Sequence, residues 1–365
     1  MQERDSAYLL LEDGRRFEGV ALGKKGVAVG EVVFHTFASN PHQLLTTPAF
    51  CGQLLAFTTP LVGNCGVNFS DLQSESVQAA GLIVRECCQI PSNFRNEMPL
   101  PDFLLENHVV GIEGVDTRAL TKHLRTHGSL RGAIVSSPAD ASQLLNELRR
   151  PAAPLSRPAG ATPPPPTGNE KYHVVVVDLG CCKALLDHLR QLSCRITMVS
   201  PEIPAQELLT LSPDGVLFSD GPETLTPSPA SLVLAKELLQ SDLPLLGVDA
   251  GHQLLAVAAG CSLIPLPVGH RGPNQPVTAL DGSSTFTTSQ YHGLAVDGST
   301  VDPGRVRILC VSRNDGSVEA LSYRDGQALS IQYLPGVVPD STGRLTELEQ
   351  FCSAMDQRKE AVRHA

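Results

Sequence analysis

The feature that most constrains the fold is an alternation of apolar runs and helical patterns that begins near residue 172. The apolar run in HVVVVDLG is followed by CKALLDHLRQLS, which has the apolar spacing of a helix, and the same succession repeats as far as PLLGVDAGHQLLAVAAG. Strands this apolar are buried on both faces, and connecting helices make neighbouring strands parallel. The pattern therefore predicts an α/β fold, with a mostly parallel sheet covered by helices on both faces.

Ligands of such sheets bind beyond the carboxyl ends of the strands. Three segments follow strands of the alternation and are therefore candidate site segments: Ser219–Glu223, Gly247–Gly251 and the residues after Ile331.

A proline-rich segment divides the chain. Residues 151–170 contain seven prolines and two glycines, and we expect them to run extended and exposed. We predict a first domain at 1–150, a linker at 151–171, a second domain at 172–357 and a tail at 358–365.

The first domain is predicted to be a smaller α/β domain. Its first segment has the pattern of a hairpin with Asp13 and Gly14 in the turn, and GEVVFHT and QLLAFTT have the pattern of strands. A helix is predicted to start at Asp116 or Thr117 and to stop at Gly128.

Two histidines of that helix, His123 and His127, have a spacing that can bind a metal ion. No third ligand lies near them in the sequence, and positive charge is favoured at a helix C-terminus without any metal. We expect no metal there.

Charge and cysteine content exclude several classes of protein. Residues 1–150 carry 13 basic and 16 acidic side chains, and the remainder carries 15 and 22, so neither part has the basic excess needed to bind nucleic acid or an anionic membrane surface. The ten cysteines include two adjacent pairs, which suits reduced cytoplasmic thiols better than disulfides or zinc ligands. No secretory signal, membrane-spanning stretch or phosphate-binding loop is recognised, so we expect a cytoplasmic protein without a cofactor.

The segment Gly247–Gln253 has the pattern of a nucleophile elbow, a sharp turn between a strand and a helix. Its tip is Asp249. An aspartate can be a covalent nucleophile, but it then needs a base to activate water. His252 could form such an acid–base pair with Asp249, although a histidine packed into the helix start is the simpler interpretation.

The elbow GVDAGHQ resembles the G-[IV]-C-x-G-H-Q of class I glutamine amidotransferases. The wider chain is similar to the small, glutamine-hydrolysing subunit of carbamoyl phosphate synthetase. The motifs LEDGRRFEG, GEVVF, LTTPAF, PLVGNCGVN and GVDTRALTKHLR match that subunit's own N-terminal domain, and DGVLFSDGP, GHRGPNQPV and TTSQYHGLAV follow in the order of the family. The resemblance covers about nine-tenths of the chain.

The resemblance also implies that the catalytic triad is lost. Asp249 stands for the nucleophilic cysteine of the family, Leu334 for the histidine base and Gly336 for the glutamate that orients it. Removing one member of such a triad already abolishes most of its rate enhancement.

The oxyanion loop and the substrate pocket depart from the family as well. The family's N-G-P-G-D-P is Asp220–Leu225 here, so that Glu223 replaces a glycine that can take positive φ, and it adds negative charge where negative charge develops in the reaction. Four further pocket positions differ from the family: Ala49, Ala250, Tyr291 and Leu294. Three positions keep the glutamine-contacting identities as vestiges: Gly221, Gln253 and Gly293.

Three hypotheses follow. The first is a small subunit that does not hydrolyse glutamine and that stabilises or regulates a large synthetase chain, which binds ATP and bicarbonate, in arginine or pyrimidine synthesis. The second is a stand-alone pseudo-glutaminase used as a binding or scaffold protein; it is favoured by departures in the first domain, where Ser39-Asn40-Pro41 replaces T-G-Y and Thr47 replaces an aspartate. The third is an enzyme of altered chemistry that uses Asp249.

Overall fold

The computed structural model describes residues 5–36, 40–150, 158, 160–224, 226–335 and 346–364. The chain divides into two compact units, Met1–Ala159 and Gly160–Ala365. The predicted α/β class is confirmed.

The first unit is built around a closed barrel of seven strands. The strands of the unit, in the barrel and outside it, are β1 Ser6–Leu11, β2 Arg16–Gly23, β3 Val27–His35, β4 Gln53–Phe57, β5 Leu61–Val62, β6 Gly81–Ile83, β7 Glu86–Cys87, β8 Val110–Glu113 and β9 Leu130–Val135. Its helices are α1 Pro41–Leu45, α2 Leu100–Glu106, α3 Thr117–His127 and α4 Ala141–Leu148. The barrel order is β1-β2-β8-β6-β4-β3-β9, and it closes because β9 pairs with both β3 and β1; β5 and β7 form a separate ribbon.

The hairpin and the helix predicted for this unit are confirmed. Strands β1 and β2 form the antiparallel hairpin around Asp13 and Gly14. Helix α3 starts after Asp116, whose carboxylate caps it by accepting from the Ala119 N–H, and ends at Gly128, which has φ 82°.

The second unit contains one sheet of nine strands. The strands are β10 Tyr172–Val177, β11 Cys194–Val199, β12 Gly215–Phe218, β13 Leu245–Val248, β14 Leu263–Ala279, β15 Thr285–Val296, β16 Val306–Ser312, β17 Val318–Tyr323 and β18 Ala328–Ile331. The helices are α5 Lys183–Gln191, α6 Ala205–Thr210, α7 Pro229–Leu239, α8 Ala250–Ala258 and α9 Glu347–His364. The order is β11-β10-β12-β13-β18-β17-β15-β14-β16; the first five strands are parallel, and the other four add antiparallel pairings.

Strand β10 shows why the parallel strands are so apolar. Val174 and Val176 point into the core beneath α5 and α9, whereas Val175 and Val177 point into the core beneath α6, α7 and α8. A strand with both faces covered has no position that favours a polar side chain.

Two features differ from the predicted linker and tail. Ala161 is buried and its N–H donates to the Cys181 carbonyl at 2.8 Å, so this part of the proline-rich segment is attached to the second unit. Residues 358–364, predicted as a tail, are the last turns of α9, and Arg358 and Lys359 pair with Asp242 and Asp214. Residues 151–157 and 159 of the predicted linker lie outside the described residues.

Candidate functional site

The three candidate segments of the second unit meet at the carboxyl ends of the parallel strands. The Asp249 N–H, after β13, donates to the Ile331 carbonyl of β18 at 2.8 Å. The Gly251 N–H donates to the Ser219 carbonyl after β12 at 3.0 Å. The elbow therefore lies between the other two segments.

The strained backbone of the elbow is at Asp249 itself, which has φ 52° and ψ −107°. The glycines on either side of it allow close approach of neighbouring backbone. A Cβ at Gly247 would lie 2.7 Å from the Gly251 carbonyl oxygen, and one at Gly251 would overlap the Phe218 carbonyl oxygen. Backbone contacts thus hold the turn in this geometry.

Asp249 is a buried carboxylate in an acidic surrounding. It is 4% exposed, and its Oδ1 accepts a 3.0 Å hydrogen bond from the Gln332 amide. Burial, followed by the charges of Glu223 and Asp220, raises the pKa of Asp249 well above its usual value; Gln332 and the Gly221 N–H oppose that rise. The side chain is therefore suited to hold a proton rather than to attack a substrate.

Glu223 occupies the pocket with its own carboxylate. Its Oε1 accepts from the Gly293 N–H at 2.5 Å and its Oε2 from the Leu294 N–H at 2.6 Å. The Gln253 amide lies 3.4 Å from Oε2. Glu223 itself does not have a positive φ, so the backbone there has not kept the conformation that the family's glycine allows.

The three vestigial positions are therefore already engaged by acidic side chains. The Gly293 N–H and the Gln253 amide face Glu223, and the Gly221 N–H faces Asp249. Gly221 also needs to be glycine for steric reasons, because a Cβ there would overlap the Leu179 carbonyl oxygen.

Leu334 cannot act as a base, and its position is set by packing and one backbone bond. It packs against the core beneath α5 and α9, and its N–H donates to the Ser289 carbonyl at 2.9 Å. Gly336, the position of the orienting glutamate, lies outside the described residues.

His252 does not pair with Asp249. Its ring is fully buried, and its Nδ1 lies 2.7 Å from the hydroxyl of Ser330, which in turn contacts the Tyr323 hydroxyl. Burial lowers the pKa of His252 to about 3, so the ring is neutral. His252 is therefore a histidine packed into the start of α8, as the simpler interpretation of the sequence has it.

The remaining pocket positions offer no new chemistry. Ala250 starts α8, and Tyr291 and Leu294 lie on β15. Burial raises the pKa of the Tyr291 hydroxyl to about 12, so it stays protonated. Ala49 is buried in a short turn, Pro48–Phe50, of the first unit.

One group of side chains was missed by the sequence analysis. Among the residues that the structure describes, His270, His292 and Glu319 are the set of three that could hold a metal ion. They are spread over three strands without a recognisable spacing, so no local motif indicates them.

His123, one of the two histidines of α3 whose spacing could bind a metal ion, contacts Asp13 at 2.5 Å and Arg15 at 3.0 Å.

All ten cysteines are free thiols. Within the described part of the chain, none of the helices has both the length and the apolar character needed to cross a membrane.

Comparison with known proteins assigns both units. Residues 9–134 match the family described as carbamoyl-phosphate synthase small chain, CPSase domain, and residues 175–352 match glutamine amidotransferase class-I. The small chain from Syntrophotalea carbinolica is 36% identical over 97% of this chain and 99% of its own length. The small chain from Listeria innocua is 37% identical over 98% of this chain and 99% of its own.

Two solved structures are similar to part of this chain. A GMP synthase protein from Thermoplasma acidophilum covers 53% of this chain and 98% of its own, with 18% identity and a TM-score of 0.43. A glutamine amidotransferase from Thermotoga maritima covers 53% of this chain and 85% of its own, with 18% identity and a TM-score of 0.35.

Proposed function

The chain belongs to the carbamoyl phosphate synthase small-chain family, and from that premise we propose that it is a member that no longer hydrolyses glutamine. Its role is to stabilise or regulate a large synthetase chain in the cytoplasm, where that partner binds ATP and bicarbonate to make carbamoyl phosphate for arginine or pyrimidine synthesis.

The observation that carries the proposal is the carboxylate of Asp249 at the elbow tip. A glutaminase needs a nucleophile there that becomes anionic and attacks an amide. A buried carboxyl whose pKa is raised by burial and by the charge of Glu223, and which is bonded to Gln332, is poorly suited to that role.

Glu223 supports the proposal independently. Its two carboxylate oxygens sit on a pair of neighbouring N–H groups, of Gly293 and Leu294, which is the way a protein binds a free carboxylate. A glutamine substrate carries such a carboxylate. Glu223 therefore competes with glutamine from within the chain.

The test is ammonia release from glutamine by the purified chain, alone and with a large synthetase chain. We expect background rates in both cases. Turnover near the typical enzyme value of about 10 s⁻¹ would overturn the loss of activity.

A series of variants separates the triad from the pocket. The triple change Asp249→Cys, Leu334→His and Gly336→Glu restores the three triad identities, and we expect little activity from it because Glu223 and Tyr291 remain. Adding Glu223→Gly and Tyr291→Asn should raise the rate. Full rescue by the triple change alone would show that the pocket is intact.

A stand-alone binding or scaffold protein is the second candidate. It is favoured by Thr47, which replaces an aspartate of the family's N-terminal motif and is buried, with its hydroxyl bonded to the Gln43 carbonyl at 2.8 Å. Purification of the tagged chain from its own cells distinguishes the two candidates. A stoichiometric synthetase chain supports the first, and its absence supports the second.

A further inference from the structure

We propose that His270, His292 and Glu319 bind a divalent transition-metal ion, with zinc as the probe, in a structural site of the second unit. The site adjoins the pocket, because His292 precedes Gly293 and contacts the Leu294 carbonyl, but the proposal does not depend on whether the glutaminase chemistry is lost.

Three strands bring the ligands together. His270 lies on β14, His292 on β15 and Glu319 on β17, and one ligand atom from each lies within 4.8 Å of the other two. The residues are 5%, 0% and 0% exposed, respectively. Two imidazoles and one carboxylate are a donor set that zinc binds together with one further ligand.

Both rings are already oriented as metal-bound histidines are. The Nε2 of His270 lies 2.9 Å from the Asp315 carboxylate, and the Nδ1 of His292 lies 2.8 Å from the Leu294 carbonyl. A histidine that binds metal through one nitrogen almost always donates its other N–H to a carboxylate or a backbone carbonyl. The remaining nitrogens, Nδ1 of His270 and Nε2 of His292, face the same space.

One pair of donor atoms has the spacing of a tetrahedral site, and the donor atoms of the three ligands all lie within 4.8 Å of one another. With metal–nitrogen distances of about 2.0–2.1 Å, the ligand atoms of such a site are about 3.3 Å apart. The Nδ1 of His270 lies 3.3 Å from Oε1 of Glu319. The Oε1 of Gln290 lies 2.9 Å from that nitrogen and 3.0 Å from Nε2 of His292, and it is therefore the fourth candidate ligand.

One contact in this cluster joins two hydrogen-bond acceptors, Nε2 of His292 and Oε1 of Gln290. Because Nδ1 of His292 faces a carbonyl, it holds the proton of the neutral ring, and Nε2 presents a lone pair to Oε1 of Gln290. The Gln290 amide is held in this orientation because its Nε2 donates to Glu319 at 2.7 Å and to Thr288 at 3.0 Å. These two acceptors repel each other. A bound cation would remove the repulsion, because both atoms could coordinate it.

Two carboxylates offset the charge of an ion in the proposed site. Glu319 contributes one negative charge as a ligand, and Asp315, hydrogen-bonded to the His270 ring, contributes another. They match the charge of a divalent ion bound by two neutral imidazoles, and the buried Arg271 adds one positive charge near His292.

The experiment measures zinc in the full chain, purified without a histidine tag. The protein is stripped with a chelator, reloaded with zinc, dialysed and analysed for metal content and thermal unfolding. We expect about one zinc per chain, as for a closed structural site, and a higher unfolding temperature with zinc than with chelator. Folded protein without bound zinc, and with the same unfolding temperature in both conditions, would overturn the proposal.

Two conservative variants and one control make the assignment specific. Glu319→Gln keeps the shape of the ligand and should abolish stoichiometric zinc binding. Asp315→Asn changes a partly exposed side chain whose Oδ2 orients His270 and whose Oδ1 accepts from Ser317, so it should weaken zinc binding about 10–100-fold in a competition titration while the fold is kept. His123→Gln, which changes a histidine with its own aspartate partner in the first unit, should leave the zinc content unchanged. Equal zinc binding by wild type and Glu319→Gln would contradict the site.

Discussion

At the scale of single residues, the elbow region holds two buried acidic groups, Asp249 and Asp220, and a half-buried one, Glu223. Asp249 and Asp220 both have raised pKa values, with burial as the largest cause, and Asp220 reaches about 6. Glu223 lies close enough to raise the pKa of Asp249 further. Because the pKa values of Asp249 and Asp220 are raised, we expect these two acidic groups to lower the stability of the fold as the pH rises. A salt-bridged carboxylate instead loses its stabilising effect as the pH falls.

The first prediction concerns the pH dependence of stability. Because the pKa of Asp249 is higher in the folded than in the unfolded chain, its contribution to stability is fully present below about pH 4 and is lost as the pH rises through the folded pKa. Asp249→Asn should abolish this loss and keep the bond to Gln332. We expect the variant to be more stable than wild type at pH 8, and the difference to grow as the pH rises from 4.

Urea unfolding of both proteins from pH 4 to pH 8 measures this effect, and their difference isolates Asp249 from other titrating groups. Asp302→Asn, at an exposed aspartate, is the control and should follow wild type. A difference between Asp249→Asn and wild type that shrinks as the pH rises would contradict the assignment.

The second prediction concerns Glu223. Glu223→Gly frees the N–H groups of Gly293 and Leu294, so glutamine should bind to the variant more tightly than to wild type by about tenfold, the equivalent of one net charge-assisted hydrogen bond. Calorimetric titration with glutamine measures the affinity. Glu202→Gly, at an exposed glutamate of the same unit, controls for the loss of charge alone. Equal affinity of wild type and Glu223→Gly would show that Glu223 does not occupy the substrate position.

At the scale of elements, the elbow and the strands around it are held by backbone contacts. Most of these elements could be predicted from the sequence, because the apolar spacing that sets a strand or a helix is local. The contacts that side chains make across the sheet could not be predicted in this way. Glu223 is predictable as an opposing charge, but its bonds to Gly293 and Leu294 join segments about seventy residues apart in sequence. The cluster of His270, His292 and Glu319 depends on the same kind of distant pairing.

The third prediction tests the close approach at the elbow. Gly251→Ala places a methyl group against the Phe218 carbonyl oxygen, so the start of α8 must move away from β12. We expect a loss of about 1–3 kcal/mol or more in the free energy of unfolding. Gly298→Ala is the matched control, because its added Cβ meets only a side-chain methyl of Val318 at 3.4 Å. Similar stability of the two variants would show that the elbow yields without cost.

At the scale of the whole molecule, each unit has its own buried cores. The barrel of the first unit surrounds one apolar cluster, and the sheet of the second unit separates two. The division of the chain was suggested by the proline-rich segment. Closure of the barrel was not predictable, because Leu9 of β1 pairs with Ile134 of β9 and nothing local marks that pairing. The antiparallel strands between residues 263 and 323 likewise lack the βα alternation.

The fourth prediction follows from these separate cores. Residues 1–159 and 160–365, produced as separate chains, should each fold and unfold cooperatively. Near-ultraviolet circular dichroism during thermal unfolding measures this. A second fragment starting at residue 172 is the comparison, and it should be less stable because it lacks Ala161, which is buried against the second unit. Failure of the 160–365 chain to fold would contradict the independence of the second unit.

The strained turn at Asp249 has a consequence for how such a protein can change over generations. Its geometry is enforced by glycine backbones and strand ends, so it persists whatever side chain stands at the tip. Selection for catalysis can therefore lapse without the turn relaxing, and the position remains available to a new reactive group introduced by mutation or by protein engineering. One substitution is enough to place a new reactive side chain at the tip of the turn. Changing the pocket around it requires several substitutions.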